Sequence, residues 1–357
     1  MSKITQKQQN IINILLETEK GGFLSSSAIQ AKLTKTDEEV SLVTVKRRIS
    51  EMARLGLLVS DGAGPATKYM VSPLGRLCAD IDARAYCAAE PDKRYGMSRF
   101  NLDLLPAIPP DIFSAYEMNI LESATEEYRK RTEGAPEAIR KKELERLTIE
   151  LSWKSSKMEG NTYTLLDTEK LILEQKEASG HNKNEAQMIL NHKDAFTFVY
   201  KNADQFKNLT RVNLEKLHAV LVKDLGIGLG LRKKPVGVLG SKYQPLDNIY
   251  QITDAVDTLA RAVARASSPY GKALIALSGI SYIQPFEDGN KRASRLMANA
   301  LLMARDCAPL SYRSVEESEY REAMLVFYEL NSILPIKKIF VAQYDFAARN
   351  YAMKREE

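Results

Sequence analysis

The chain is poor in the residues that advertise redox or metal chemistry. Its 357 residues include three cysteines, three histidines and one tryptophan. Cys78, Cys87 and Cys307 are widely spaced, so they suggest neither a zinc pattern nor a disulfide framework. They suit a reducing compartment, and a cytoplasmic location is expected. No apolar run approaches the ~18 residues that a membrane span requires, so no membrane partner is expected. The polar start, Met-Ser-Lys-Ile-Thr-Gln-Lys, does not read as a signal peptide. A formal charge of +5 is small for this length and names no partner. Repeats and low-complexity tracts are also missing. What is present is 44% apolar content, enough for more than one core, and two domains are the natural expectation.

Residues 1–88 predict a winged helix-turn-helix. Gln6 to Glu19 reads as a helix with Ile11, Ile12, Leu15 and Leu16 on its apolar side. Ser25 can cap a second helix bearing Ile29 and Leu33. Ser41 opens a third, Leu42 to Leu57, in which Val45, Ile49 and Met52 share a face. Leu57-Leu58-Val59, a glycine-rich turn and Thr67–Val71 then read as a hairpin. Three helices and a wing make the third helix the reader, with Lys46, Arg47 and Arg48 as candidates for duplex DNA and Arg54 beside them. Against this, residues 1–90 hold twelve basic and ten acidic side chains, a weak footprint for a nucleic-acid binder. Winged helices also mediate protein contacts and homodimers. Both readings stay open.

Residues 89–136 contain four prolines before residue 111 and read as a linker that packs on the core. A break is expected from Arg131 to Pro136. A helix from about Pro136 then carries Leu144, Leu147 and Leu151 on one side, and Gly160 stops it.

The most informative string is Gln284-Pro285-Phe286-Glu287-Asp288-Gly289-Asn290-Lys291-Arg292-Ala293-Ser294-Arg295. Asp288-Gly289-Asn290 is a turn, and the residues after it are helix formers. A glycine turn feeding a helix N-terminus aims backbone N–H groups at an anion. Arg292 and Arg295, three apart, share a face, and their planar forks suit phosphate oxygens. Asp288 is an oxygen donor of the kind magnesium takes beside a phosphate. Arg-x-x-Arg alone would more often be a solvated basic face. The whole ordered string demands more, since a surface turn needs no Pro-Phe before it and no paired arginines after it.

This string resembles the signature of the Fic family, His-x-Phe-x-Asp/Glu-Gly-Asn-Gly/Lys-Arg-x-x-Arg, everywhere but at the first position. The family moves AMP from ATP onto protein hydroxyls. The resemblance implies a mainly α fold: a Fic-like helical core over 137–357 with a β-hairpin flap, behind the winged helix. It implies magnesium on Asp288 and an anion hole from Gly289, Asn290 and Lys291. Arg292 would hold the β-phosphate and Arg295 the γ-phosphate, while Asn299 could reach the nucleotide. The family's general base stands where this chain has Gln284. A carboxamide has no protonation equilibrium near neutral pH and cannot take a hydroxyl proton.

Ser155-Ser156-Lys157-Met158-Glu159-Gly160 resembles the family's inhibitory motif, in which Ser155, Glu159 and Gly160 hold the matching positions, with the inhibitory helix spanning 137–160. Glu159 would pair with Arg295 and compete with the γ-phosphate. Lys234 to Leu246 resembles the flap that takes a target segment as an added strand, with Val238, Leu239, Gly240 and Ser241 at its turn. Expected partners are ATP, magnesium and a protein bearing a Ser, Thr or Tyr hydroxyl. Asn191, His192 and His218 read as packing or capping residues. Two functions follow: an AMP-transferase scaffold weakened at its base, or a nucleotide-sensing regulator that performs no transfer.

Overall fold

The computed structural model describes residues 4–18, 22–35 and 40–352. Among them lie sixteen α-helices and one three-stranded antiparallel sheet. The order begins α1 (Gln6–Leu16), β1 (Leu24–Ser25), α2 (Ser26–Lys35), α3 (Leu42–Arg54), β2 (Leu58–Asp61) and β3 (Lys68–Val71). Next come α4 (Pro73–Leu77), α5 (Ala83–Cys87), α6 (Leu104–Ala107), α7 (Ala115–Gly134), α8 (Glu137–Lys157) and α9 (Leu165–Glu174). Then follow α10 (Lys183–Lys201), α11 (Arg211–Leu221), α12 (Ile249–Arg265) and α13 (Pro269–Ile283). The chain closes with α14 (Asn290–Met303), α15 (Glu317–Leu330) and α16 (Leu334–Asn350).

Two compact units divide the chain. The first takes Met1–Pro109 together with Gly237–Pro245 and Ser318–Lys337; the second takes the remainder. In the first, helices α1, α2 and α3 combine with a sheet of order β1-β3-β2 into a winged helix, with β1 lying between α1 and α2. Capping fixes where its helices start. Thr5 and Gln8 close a capping box on α1, Ser25 Oγ accepts from the Ala28 amide at 3.2 Å, and Ser41 caps α3. Ile11, Leu15, Ile29, Leu33, Val45, Ile49 and Met52 are fully or almost fully buried in one core. Val326 and Leu330 of α15 belong to that same core.

Several boundaries differ from the sequence reading. Helix α1 ends at Leu16 with Glu17 as its cap, and Glu19 lies outside the described residues. Helix α3 stops at Arg54, because Gly56 turns left-handed at φ 73° and releases Leu57 toward the sheet. The two-residue β1 was not anticipated; it pairs Leu24 with Tyr69. The break expected over Arg131–Pro136 is confined to Ala135 and Pro136, since α7 runs through Gly134. Residues 234–246 do not form a hairpin ladder. They turn at Val238–Ser241, and the one bridge there joins Gln244 to Arg99. Pro235, Gly237 and Pro245 leave the two arms too few ladder donors and too little β-propensity to pair with each other.

The second unit is helical, and α13 and α14 are its central pair. Every residue of α13 from Ala273 to Ile283 is buried, as is α14 from Arg292 to Met303. Ser281 Oγ donates to Ser294 Oγ at 2.8 Å between them. Gly279 lets α12 approach closely: a Cβ there would stand 2.3 Å from Leu259 Cδ1.

Candidate anion site at the start of helix α14

Gly289 is the N-cap of α14 and has φ 78°, a left-handed conformation that glycine adopts without cost. No side chain caps this end. The first-turn N–H groups therefore face outward with no intrahelical partner. Asn290 makes the turn rigid: its side chain accepts from the Phe286 amide and donates to the Phe286 carbonyl, each at 2.8 Å. Asn290 therefore holds the loop, and its carboxamide is spent on the backbone.

Two buried guanidinium groups stand behind the turn. Arg292 is 1% exposed and donates to Asp288 Oδ2 at 3.1 Å; its Nε and Nη1 are buried with no hydrogen-bond partner. Burial lowers its pKa from the ordinary value, opposed by the carboxylates of Asp288 and Glu159. Arg295 is wholly buried. Its Nε donates to Ser155 Oγ at 2.9 Å, and its Nη2 donates to the Ser155 carbonyl at 2.9 Å and to Glu159 Oε1 at 2.8 Å. The other carboxylate oxygen of Glu159 lies 3.4 Å from Lys291 Nζ. Burial by itself would raise the Glu159 pKa. The charges of Arg295 and Lys291 and the Arg295 hydrogen bond outweigh it, and the carboxyl is held below its ordinary value.

Glu159 follows directly on α8, and Gly160 at φ 93° turns the chain away behind it. Helix α8 is held in place along its length. Glu150 accepts from Arg313 at 3.0 Å, and Glu317 takes Lys154 at 3.0 Å and Lys157 at 3.5 Å.

Asp288 is the exposed member of the group, with 63% of its side chain accessible. Among the described residues no cluster of three or more His, Cys, Asp or Glu could hold a metal. A magnesium ion here would have one protein carboxylate, and phosphate oxygens and waters would complete its shell. The unpartnered nitrogens of Arg292 and the open N–H groups of α14 fit a polyphosphate beside such an ion.

Gln284 caps α13 in a left-handed conformation, φ 51°. Its side-chain amide donates to the Ser281 carbonyl at 2.6 Å, and the residue is 7% exposed. Its own carbonyl accepts from Arg232 Nε at 2.6 Å, and the Arg232 amide donates to the Pro285 carbonyl at 2.9 Å. Arg232 is the residue that sequence reasoning missed. It stands beside Lys233 and Lys234, and three adjacent cations look like a solvated run; only its 2% exposure reveals its task.

Asn299 serves the fold in this structure. It is fully buried, and its carboxamide closes a two-way pair with the Leu310 backbone at 3.0 and 2.8 Å. It anchors the loop after α14 with its oxygen and one of its two N–H groups. Asn191, His192 and His218 pack or cap as expected. Asn191 donates to the Leu221 and Lys223 carbonyls at the end of α11. His218 stacks on Phe286 at 3.7 Å between centroids and bonds the Asp288 carbonyl through Nε2 at 2.9 Å. Burial lowers the His218 pKa to about 4. His192 is wholly buried and neutral, held well below its ordinary pKa by burial and then by the charges of Arg295 and Arg292.

The remaining candidates belong to the first unit. Val238 is buried, Leu239 at the tip of the turn is 86% exposed, and Gly240 has φ 76°. Ser241 Oγ donates to Glu329 Oε1 at 2.6 Å. On α3, Lys46, Arg47 and Arg54 are exposed. Arg48 is half-buried and already engaged, so it is less available than its neighbours. The three cysteines are free thiols, each pushed up to about 11 by burial. No helix among the described residues is long and apolar enough to cross a membrane.

Comparisons with known proteins agree with this geometry. The chain superposes on a Fic-domain signaling protein from Bacteroides thetaiotaomicron with TM-score 0.56 at 18% identity, covering 67% of this chain and 99% of that one. A Fic family protein from Desulfovibrio desulfuricans G20 gives 0.55 at 20% identity, covering 68% and 75%. Fic-1 (residues 134–508) from C. elegans gives 0.57 at 16% identity, covering 66% and 72%. At these identities the likeness establishes the fold. The Ferric uptake regulator family model matches residues 1–72, a stretch that contains neither histidine nor cysteine. Residues 208–302, which hold the signature turn and all but the last residue of helix α14, match the Fic/DOC family model, so the chain carries a Fic-type domain there and a winged helix at its N-terminus.

Proposed function

We propose that the chain is a self-inhibited AMP-transferase scaffold that binds magnesium-ATP at the start of α14 and transfers AMP weakly or not at all. The observation that carries this reading is the ion pair between Glu159 and the buried Arg295 at 2.8 Å. It puts a carboxylate where a γ-phosphate would need the guanidinium. In this reading Gly289, Asn290 and Lys291 frame the anion hole, Arg292 takes the β-phosphate and Asp288 the magnesium. The ion would neutralise charge on the transferring phosphoryl group. The reaction class is attack of a target Ser, Thr or Tyr oxygen on the α-phosphorus. The bond to the β-phosphate breaks and pyrophosphate leaves. The hydroxyl proton needs an acceptor, and Gln284 offers none. Val238, Leu239, Gly240 and Ser241 would present the target segment. The winged helix at 1–88 would address duplex DNA through Lys46 and Arg47, ahead of a Fic core beginning near residue 137.

The decisive experiment incubates the protein with α-labelled ATP and magnesium. Label should be near background for the parent chain and should appear with Gln284→His, Glu159→Gly. Equal labelling of the two would sink the roles given to both residues. A second reading, a nucleotide-sensing regulator without transfer, is favoured by the same glutamine. It predicts ATP binding by the parent that alters association of the winged helix with DNA or with a second copy.

A further inference from the structure

One buried carboxylate outside the anion site gathers donors from three separate stretches of the first unit. Glu329, near the end of α15, is fully buried. It accepts from Tyr86 Oη at 2.7 Å, from Ser241 Oγ at 2.6 Å, and pairs with Arg94 Nη2 at 3.0 Å. Tyr86 stands on α5, just after the winged helix. Ser241 stands on the turn 238–241. Arg94 also donates to the Gly240 carbonyl, Lys242 Nζ donates to the Arg94 carbonyl, and the Gln244 amide donates to the Ser98 carbonyl at 2.8 Å. The backbone joins in: the Met97 amide donates to the Glu329 carbonyl at 2.7 Å. Gly96, at φ 112°, permits this approach, because a Cβ there would stand 2.6 Å from that carbonyl oxygen. Tyr243 stacks on Tyr328, 5.7 Å between centroids.

A buried carboxylate is costly unless charge and hydrogen bonds compensate it. Here both compensations come from segments that need to be held together. Removing the carboxylate leaves Arg94, Tyr86 and Ser241 without their common acceptor. The turn would then keep its main-chain contacts, the Tyr243 ring and the bonds of Arg94 to the Gly240 carbonyl and of Lys242 to the Arg94 carbonyl. The exposed Leu239 would ride on an unlatched loop.

We propose that Glu329 is the positioning residue of segment 237–245: it latches this turn to the chain that leaves the winged helix, so that the turn is set by the N-terminal unit and not by the anion site. The role in target presentation rests on the reading of this turn as the flap; the latch itself does not. A ligand on the winged helix that moved Tyr86 or Arg94 would be felt at Leu239.

The test is hydrogen exchange on the full chain, read separately over 237–245 and over α14, together with calorimetric titration of magnesium-ATP. Glu329→Ala should speed exchange over 237–245 by about tenfold or more, the scale of losing hydrogen bonds to a charged group. Glu329→Gln keeps one acceptor oxygen and should restore part of the protection. Ser241→Ala removes the turn's bond to Glu329 and the acceptor of the Tyr243 amide at 3.1 Å, so exchange is read over 237–245 apart from that amide; the carboxylate stays paired with Arg94 and Tyr86. This substitution should speed exchange over 237–245 by several-fold and leave α14 unchanged. It therefore decides the matter even where Glu329→Ala fails to fold. Unchanged exchange over 237–245 in Ser241→Ala overturns the latch. Lack of ATP binding by the parent overturns the proposed function instead and leaves the latch standing.

Discussion

Two arginine-bearing helices in this chain treat the same side chain in opposite ways. On α14, Arg292 and Arg295 are 1% and 0% exposed, and their forks are locked against Asp288, Ser155 and Glu159. On α3, Lys46, Arg47 and Arg54 point into solvent. A buried cation is expensive and is retained where a fixed anion will meet it. An exposed cation costs little and attracts anions at a distance, in a manner that salt screens. On the proposed reading the first helix suits one ligand in one pose, and the second suits loose, adjustable association.

Breaking the buried side should give the largest effect. Gln284→His supplies a base, worth about 10²–10⁴-fold in rate where proton transfer is part of the step. Glu159→Gly added to it frees Arg295 and should raise labelling from α-labelled ATP further. Glu159→Gly alone should tighten magnesium-ATP binding and give little transfer. Arg295→Ala and Asp288→Ala come next. Each removes a charge-assisted contact and should weaken magnesium-ATP by about tenfold or more in calorimetric titration. Unchanged affinity in both would move the anion site elsewhere.

A smaller effect separates the packed interior around α14 from the surface of α3 through pH. His218, with a pKa lowered to about 4, stays neutral in the fold while an unfolded histidine takes a proton at about 6.5. Stability is therefore present above about pH 6.5 and declines as pH falls toward 4, by about 1–2 kcal/mol between pH 6.5 and pH 5. His218→Gln keeps a donor for the Asp288 carbonyl and does not titrate. Its urea midpoint should change less over that range.

The smallest effect belongs to the exposed side. Lys46→Ala with Arg47→Ala should lower the salt slope of DNA affinity by about two units of log K per decade, close to one per lost phosphate contact. Fluorescence anisotropy at several salt concentrations measures it, and magnesium-ATP binding should not change. The full chain is required, because Val326 and Leu330 complete the core of the winged helix and residues 1–88 alone would leave it open.

The same contrast explains what the sequence disclosed. The signature turn was legible because its chemistry is contiguous: a carboxylate, a glycine, an asparagine and two arginines within eight residues. The pairing of Glu159 with Arg295, 136 residues apart, was legible only through a resemblance, since no local pattern encodes a contact at that separation. The winged helix followed from apolar spacing and caps. Its borrowing of Val326 and Leu330 from α15 did not, because α15 shows an ordinary helical pattern that names no partner. Asn299 is a related case. Its place one turn after Arg295 was correct, but its obligation to Leu310 arises from a loop that sequence periodicity does not describe. The hairpin over 234–246 failed because turn residues were read without counting the ladder donors that two prolines remove.

The fixing of the Gln284 backbone by Arg232 bears on how such a protein can change over time. The left-handed cap is secured through main-chain atoms of residues 284 and 285, with one further bond from the Gln284 side chain to the Ser281 carbonyl. Asparagine, aspartate and histidine tolerate that conformation comparatively well among residues with a Cβ. Glutamine and histidine codons differ by one third-position base. On the proposed reading a lineage could silence or revive the chemistry in a single mutational step, at the cost of the one bond that the Gln284 side chain makes to Ser281.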